Sequence, residues 1–332
     1  MKKFFSILMS ALLVLSLVGC GGTTTDESAS LKLGFGAVAN IAKSKDAAAD
    51  ADGLSYGYVT QAGVLVDADG KITKIVLDSI QAKANFDATG AVTSDLTVAP
   101  VSKKVLGDDY GMKETSADGG LGLEWFEQAA NFEAWAVGKT VEDLQAAVNE
   151  EGYPADTDLA TGVSVDISSW IAATVLAMEN AVDSAATAED TLKLGTTASI
   201  SEKDIGKIRS AITFAAYTLN GDDVITASIV DAMNIDVLFD ETGKITSDLT
   251  TTFKTKLVLK EEYGMKETSA ENGIGLEWYE QSNNYSAHAV GKKVADLAAD
   301  ADEEGNVVNE DLSTKVSVVI SGWIKAFENG IQ

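Results

Sequence analysis

The chain has 332 residues, a formal net charge of −26 and a single cysteine and histidine. Such a charge argues against nucleic acid as a partner, since phosphate backbones are held by cations, and on an exported protein it serves solubility. Counting excludes disulfides, Cys/His metal sites, histidine-ligated haem and His-based triads; carboxylate-only cation sites stay open, but no EF-hand spacing is present.

The chain begins with Lys2 and Lys3, an apolar run from Phe4, and the ending Leu17-Val18-Gly19-Cys20. A basic start, a short apolar core and small residues before the cut predict a signal peptide over 1–19. The run is too short for a good transmembrane span. The LVGC ending resembles the lipobox of bacterial lipoproteins. That resemblance implies lipidation of Cys20 and a stable anchor on the extracytoplasmic face of the cell membrane. Residues 21–30, GGTTTDESAS, are small and polar and predict a flexible tether after the lipidated Cys20.

The remainder repeats itself. YGMKETSADGGLGLEWFEQ (110–128) returns as YGMKETSAENGIGLEWYEQ (263–281), 153 positions on. The same offset carries Phe86-Asp87 onto Phe239-Asp240 and Trp170-Ile171 onto Trp323-Ile324. A constant long offset predicts two tandem copies of one domain, 31–185 and 192–332, not a short-period solenoid. The copies diverge before about Tyr58.

Within a copy, VLVDADGKITKIVLDS alternates around a DADG turn and predicts a hairpin. NFDATGAVTSDL predicts a further turn and strand. Trp125, Ala129, Phe132 and Trp135 share one helical face, with Gly138 as the stop. Thr140 caps a second helix. A strand is expected over Val163 to Ile167, then a helix behind Ser168 or Ser169. Strands followed by helices, without regular alternation, give an α+β class.

The closing stretch DLATGVSVDIS (158–168) returns as DLSTKVSVVIS (311–321). As a strand it would put Val163, Val165 and Ile167 inside and Ser164 on the wetter face, with Gly162 permitting close approach of a ligand. A serine with no base beside it is a poor nucleophile. It can still be a site of attachment. The spacing Asp158-x-x-Thr161-Gly162-x-Ser164 resembles the acceptor motif for covalent flavinylation. With the LVGC ending, the tether, two copies of GLEWFEQ/GLEWYEQ and the closing D-L-x-[ST]-x-V-S, nearly all of both repeats resembles the flavinylated lipoproteins of Gram-positive extracellular electron transfer, the PplA type. The resemblance implies a membrane-anchored electron carrier with up to two covalent FMN groups, on Ser164 and Ser317. Around them it places Asp158, Thr161, Gly162, Asp311 and Thr314. It implies as partners a flavin transferase, a membrane quinone-linked dehydrogenase and external acceptors such as ferric iron. The chain departs from the pattern in two ways: serine stands where threonine is usual, and Lys315 replaces the small residue in the second copy.

Other residues carry lesser expectations. Thr93 and Thr246 lie in TGAVT and TGKIT, a looser version of the acceptor pattern that a hairpin turn also explains. Lys113 and Lys266 recur in a glycine-containing loop and are candidates to meet the FMN phosphate or a reduced flavin. Trp125 and Trp278 are core residues by their spacing, with ring stacking as the alternative. His288 stands where the first copy has Trp135, which makes it a packed helix residue rather than a ligand. The rival reading is a cofactor-free surface lipoprotein that binds a ligand or peptide, with a pheromone role for the signal segment; a hydrolase lacks a nucleophile–base pair.

Overall fold

A computed structural model describes residues 30–331. The expected signal segment, Cys20 and the tether through residue 29 lie outside the described residues. The class is mixed α+β, with two antiparallel sheets and several helices.

Three long strands open the first half: β1 (Lys32–Asn40), β2 (Gly53–Val66) and β3 (Ile72–Phe86). The β2–β3 connection is the expected hairpin. Asp67 Oδ1 accepts from the N–H of Asp69 and of Lys71, both at 2.9 Å, and Gly70 takes φ +75°. An Asx turn closed by a residue at positive φ is what DADG encodes. After β3, DATG forms the expected second turn, but the strand expected beyond it is a single bridge, Phe86 to Val92.

The helices α1 (Lys103–Leu106), α2 (Lys113–Asp118), α3 (Trp125–Ala136), α4 (Val141–Ala146), α5 (Thr157–Ala160) and α6 (Ser168–Glu179) follow. Thr140 caps α4 and exchanges hydrogen bonds with Asp143. The short β4 (Val182–Asp183) then returns to pair with β1. The second half runs in the same order: β5 (Thr191–Asp204), β6 (Lys207–Leu219), β7 (Ile225–Leu238), then α7 (Lys256–Leu259), α8 (Lys266–Glu271), α9 (Trp278–Ala289), α10 (Glu310–Ser313) and α11 (Ser321–Gly330). The divergence before Tyr58 has a simple basis. β1 and β2 are joined by a loop over 41–52, whereas β5 and β6 are joined by the tight turn at Ile205-Gly206.

The sheets have strand orders β3-β2-β1-β4 and β5-β6-β7. Period-two alternation sends Ala62, Val64 and Val66 of β2 toward Trp125, Phe132 and Trp170 of the helices. Val59 points the other way and joins Phe35 of β1 against Ile212, Phe214 and Ile235 of the second sheet. Both faces of the central strand are therefore buried. The layers run helices, sheet, sheet, helices. The outer layers sit close: a Cβ on Gly34 would lie 2.0 Å from the Ala177 carbonyl oxygen, and one on Gly195 1.9 Å from that of Ala326. Only glycine lets α6 and α11 rest directly on the β1 and β5 backbones.

Candidate functional site

The acceptor-like segment is not a strand. Residues 161–167 form an irregular connector between α5 and α6. Val163 and Ile167 are pegs in the helix-side core, 1 % and 0 % exposed. The apolar alternation is real, but among the described residues the segment pairs with no strand of either sheet, and side chains take the place of a ladder. Gln128 of α3 does this for Ser164: its Oε1 accepts the Ser164 N–H at 2.9 Å and the hydroxyl at a long 3.4 Å. Upstream, Asp156 accepts from the N–H groups of Asp158 and Leu159 and caps α5. Thr161 donates its hydroxyl to the Asp158 carbonyl at 2.7 Å.

The second half repeats the Leu159, Thr161 and Ser164 contacts. Asn309 caps α10 by accepting from Leu312 N–H, Thr314 donates to the Asp311 carbonyl at 3.0 Å, and Gln281 Oε1 accepts from Ser317 N–H at 2.8 Å and its hydroxyl at 3.3 Å. Ser164 and Ser317 are half-buried, while Asp158, Thr161, Asp311 and Thr314 are exposed turn residues. The space beside Gly162 is taken by Asn131, whose Nδ2 would lie 2.8 Å from an added Cβ and which donates to the Gly162 carbonyl at 3.0 Å. At Lys315 the equivalent bond from Asn284 lengthens to 3.4 Å. Gly162 thus admits a neighbouring side chain, and Lys315 is accommodated by a small retreat of Asn284.

Directly after Ser164 the chain borders a cavity of about 400 Å³. Val165 and Asp166 form one edge, Ser168, Ser169 and Trp170 the start of α6. Opposite are Tyr56 and Tyr58 of β2 and Gln81 of β3, with Tyr110, Met112 and Trp125 closing the side. Its size is that of an ordinary small-molecule site. Trp125 is only 2 % exposed and meets Trp170 edge-on at 5.3 Å. It is a core residue, as its spacing predicts, that also borders the cavity.

Sequence reasoning missed the central side chain. Lys103 is 5 % exposed and lines the cavity. Its Nζ stands 4.8, 4.6 and 5.0 Å from the ring centroids of Tyr58, Tyr110 and Trp125 and donates to the Tyr58 hydroxyl at 3.3 Å. Burial pushes its pKa down, opposed by a hydrogen bond to Tyr110. Burial, with Tyr58 and Tyr110 nearby, pushes Tyr56 up to about 12. The available signal was recurrence: Ser102-Lys103 returns as Thr255-Lys256, 153 positions on. Lys113 and Lys266 lie outside this arrangement, on the exposed sides of α2 and α8. Thr93 sits past the DATG turn, donating to Asp52 at 2.6 Å, and Thr246 closes the equivalent turn through its N–H to the Leu238 carbonyl.

The halves differ around this lysine. Lys256 faces Tyr263 and Trp278 at 4.5 and 5.0 Å, but Tyr58 is replaced by Ala211 and Tyr56 by Arg209. Arg209 is itself tied to Asp236 by two bonds of 2.7 Å. His288 is packed on α9: its Nε2 meets Asp300 Oδ2 at 2.9 Å, and Lys292 joins both. A lone histidine therefore does find a carboxylate, which counting alone did not foresee.

No helix among the described residues is long and apolar enough to cross a membrane. No family model, curated protein or solved structure is significantly similar to the chain.

Proposed function

We propose that the protein is a membrane-anchored extracytoplasmic electron carrier, built from two copies of one unit, with FMN esterified through its phosphate to Ser164 and to Ser317. The observation that carries this reading is the recurrence of one held turn in both halves. In each, a glutamine of the long helix fixes the serine N–H at 2.9 or 2.8 Å while the hydroxyl keeps only a long contact of 3.4 or 3.3 Å. A pinned backbone with a weakly engaged hydroxyl suits an attachment point, since little is lost when that hydroxyl becomes an ester oxygen.

The residues fit the group best in the first half. The cavity begins at Val165, next to Ser164, and offers aromatic walls and an ammonium. Tyr56, Tyr58 and Trp125 would flank a flat ring, and Lys103 would meet negative charge on it. Bound FMN would supply the one- and two-electron chemistry that side chains lack. Attachment also keeps a cofactor from being lost outside the cell. Lipidated Cys20 and the tether would hold the carrier between a membrane quinone-linked dehydrogenase and an acceptor such as ferric iron, and a flavin transferase would load it.

A second reading is a cofactor-free lipoprotein that binds a small ligand. The difference between the halves favours it: the acceptor turn recurs, but the aromatic box around Lys103 is not reproduced around Lys256. The two readings separate by peptide mapping after production with an active flavin transferase. Flavin on the peptides holding Ser164 and Ser317, abolished by S164A and S317A respectively, supports the carrier. Flavin on Thr93 or Thr246 keeps the carrier but moves its sites. Unmodified peptides, with the transferase active on a known acceptor, leave the binding protein.

A further inference from the structure

Lys103 raises a question of charge. An ammonium almost wholly removed from water is normally met by a carboxylate. Among the described residues its hydrogen-bond partners are phenols, Tyr58 and Tyr110, and none of the ion pairs includes it. Asp78 acts on it only through space; its carboxylate is engaged by the N–H groups of Ser79 and Lys104 at 2.7 and 3.1 Å. Three ring faces soften the cost through cation–π attraction, and they leave the amine at the wall of a cavity of about 400 Å³ with no carboxylate hydrogen-bonded to it.

We propose that, in the chain that carries no flavin, this first-half cavity binds a small, diffusible aromatic carboxylate, with Lys103 as its charge partner and Tyr58 and Trp125 as ring contacts. The anion follows from an amine that no carboxylate reaches directly and from Lys43, which adds a second cation at the same cavity. The planar ring follows from walls made of tyrosine and tryptophan faces, which pair with flat groups better than with aliphatic chains. The size follows from the volume, which suits one or two fused rings. Asp166, also on the wall, is occupied: its Oδ1 accepts from the N–H of Ser168 at 2.8 Å at the start of α6. The second half lacks the site, because Ala211 removes one wall and Lys256 is half-exposed.

The inference does not rest on a flavin at Ser164. It is tested on the full chain made without a flavin transferase, so that the cavity carries no covalent group under either reading. The probes are 2-naphthoate and its neutral amide, 2-naphthamide, titrated calorimetrically. The expected result is one naphthoate per chain, bound at least about tenfold more tightly than the amide, as a buried charge-assisted hydrogen bond demands. K103M should bring the acid down to the affinity of the amide, and K256M should change nothing. Near-UV circular dichroism checks that K103M is folded. Should it fail that check, Y58A is the second variant, expected to weaken naphthoate about tenfold by loss of the ring contact. Equal binding of acid and amide, an equal loss in K256M, or no saturable binding at all would overturn the proposal.

Discussion

Phe86 and Phe239, 153 positions apart in the sequence, stack on each other with centroids 4.0 Å apart and planes 8° from parallel. The turns beside them are reciprocal: a Cβ on Gly90 would lie 2.9 Å from the Asp240 carbonyl oxygen, and one on Gly243 2.7 Å from that of Asp87. Equivalent residues meeting one another is the mark of an approximate two-fold relation. The halves are joined by a shared core, not by a linker alone.

That contact predicts coupled stability. F86A and F239A should each cost about 3–5 kcal/mol in urea unfolding, the range for a buried phenylalanine. Their costs should not add. The double variant should fall short of the sum by about 1 kcal/mol, because the stacking term is lost once.

Lys260 should be improved by glycine. It sits at φ 50° and ψ −119°, where its counterpart Gly107 has φ 52° and ψ −124°. Side chains with a Cβ are strained there, by about 1–3 kcal/mol. K260G should therefore raise the unfolding midpoint, with a gain of about 1 kcal/mol or more.

Asp231 should make stability fall as pH rises. Its carboxyl is fully buried, and burial pushes its pKa up to about 7 against hydrogen bonds from Thr255, Leu257 and Ala232. The folded state thus holds a proton that the unfolded chain gives up near its ordinary acidic pKa. Its contribution is full below that pKa and is lost as pH climbs toward 7. D231N should remove this slope, so the stability difference between variant and parent should shift in favour of the variant between pH 5 and pH 7.5.

Half one contains an ion pair that half two does without. Lys104 meets Glu133, whose Oε1 also accepts from Leu77 N–H at 2.6 Å. At the equivalent places stand Leu257 and Ser286, and the Ser286 hydroxyl accepts from Val230 N–H at 3.0 Å. K104L alone should cost about 2–3 kcal/mol by leaving Glu133 largely buried without its cation. The double variant K104L/E133S should recover most of that loss, measured again by urea unfolding.

Where local chemistry decides structure, it was readable. DADG demands a turn with positive φ at Gly70, Thr140 with Asp143 demands a helix start, and the Trp125–Phe132 stripe demands a buried face. The connector at Val163–Ile167 reads as a strand in the sequence because its alternation suits pegs in a core as well as a strand; only the absence of a neighbouring strand decides between them. The part of β2 before Val64 hides for the opposite reason. Helices cover one face and the second sheet the other, so its sequence barely alternates. The Lys103 box joins residues from β2, α1, the loop at Tyr110 and α3. No spacing within one segment announces such a meeting. In the candidate site, the recurrence of the two serines is legible in the sequence, and the connector that holds them and the cavity beside them are not.

The central claim is that Ser164 and Ser317 are attachment points. Its most direct test is the intact mass of the denatured, mature protein made with and without an active flavin transferase. The account predicts two FMN additions that depend on the transferase and survive denaturation. An unchanged mass, from a transferase that modifies a known acceptor in the same preparation, would contradict it.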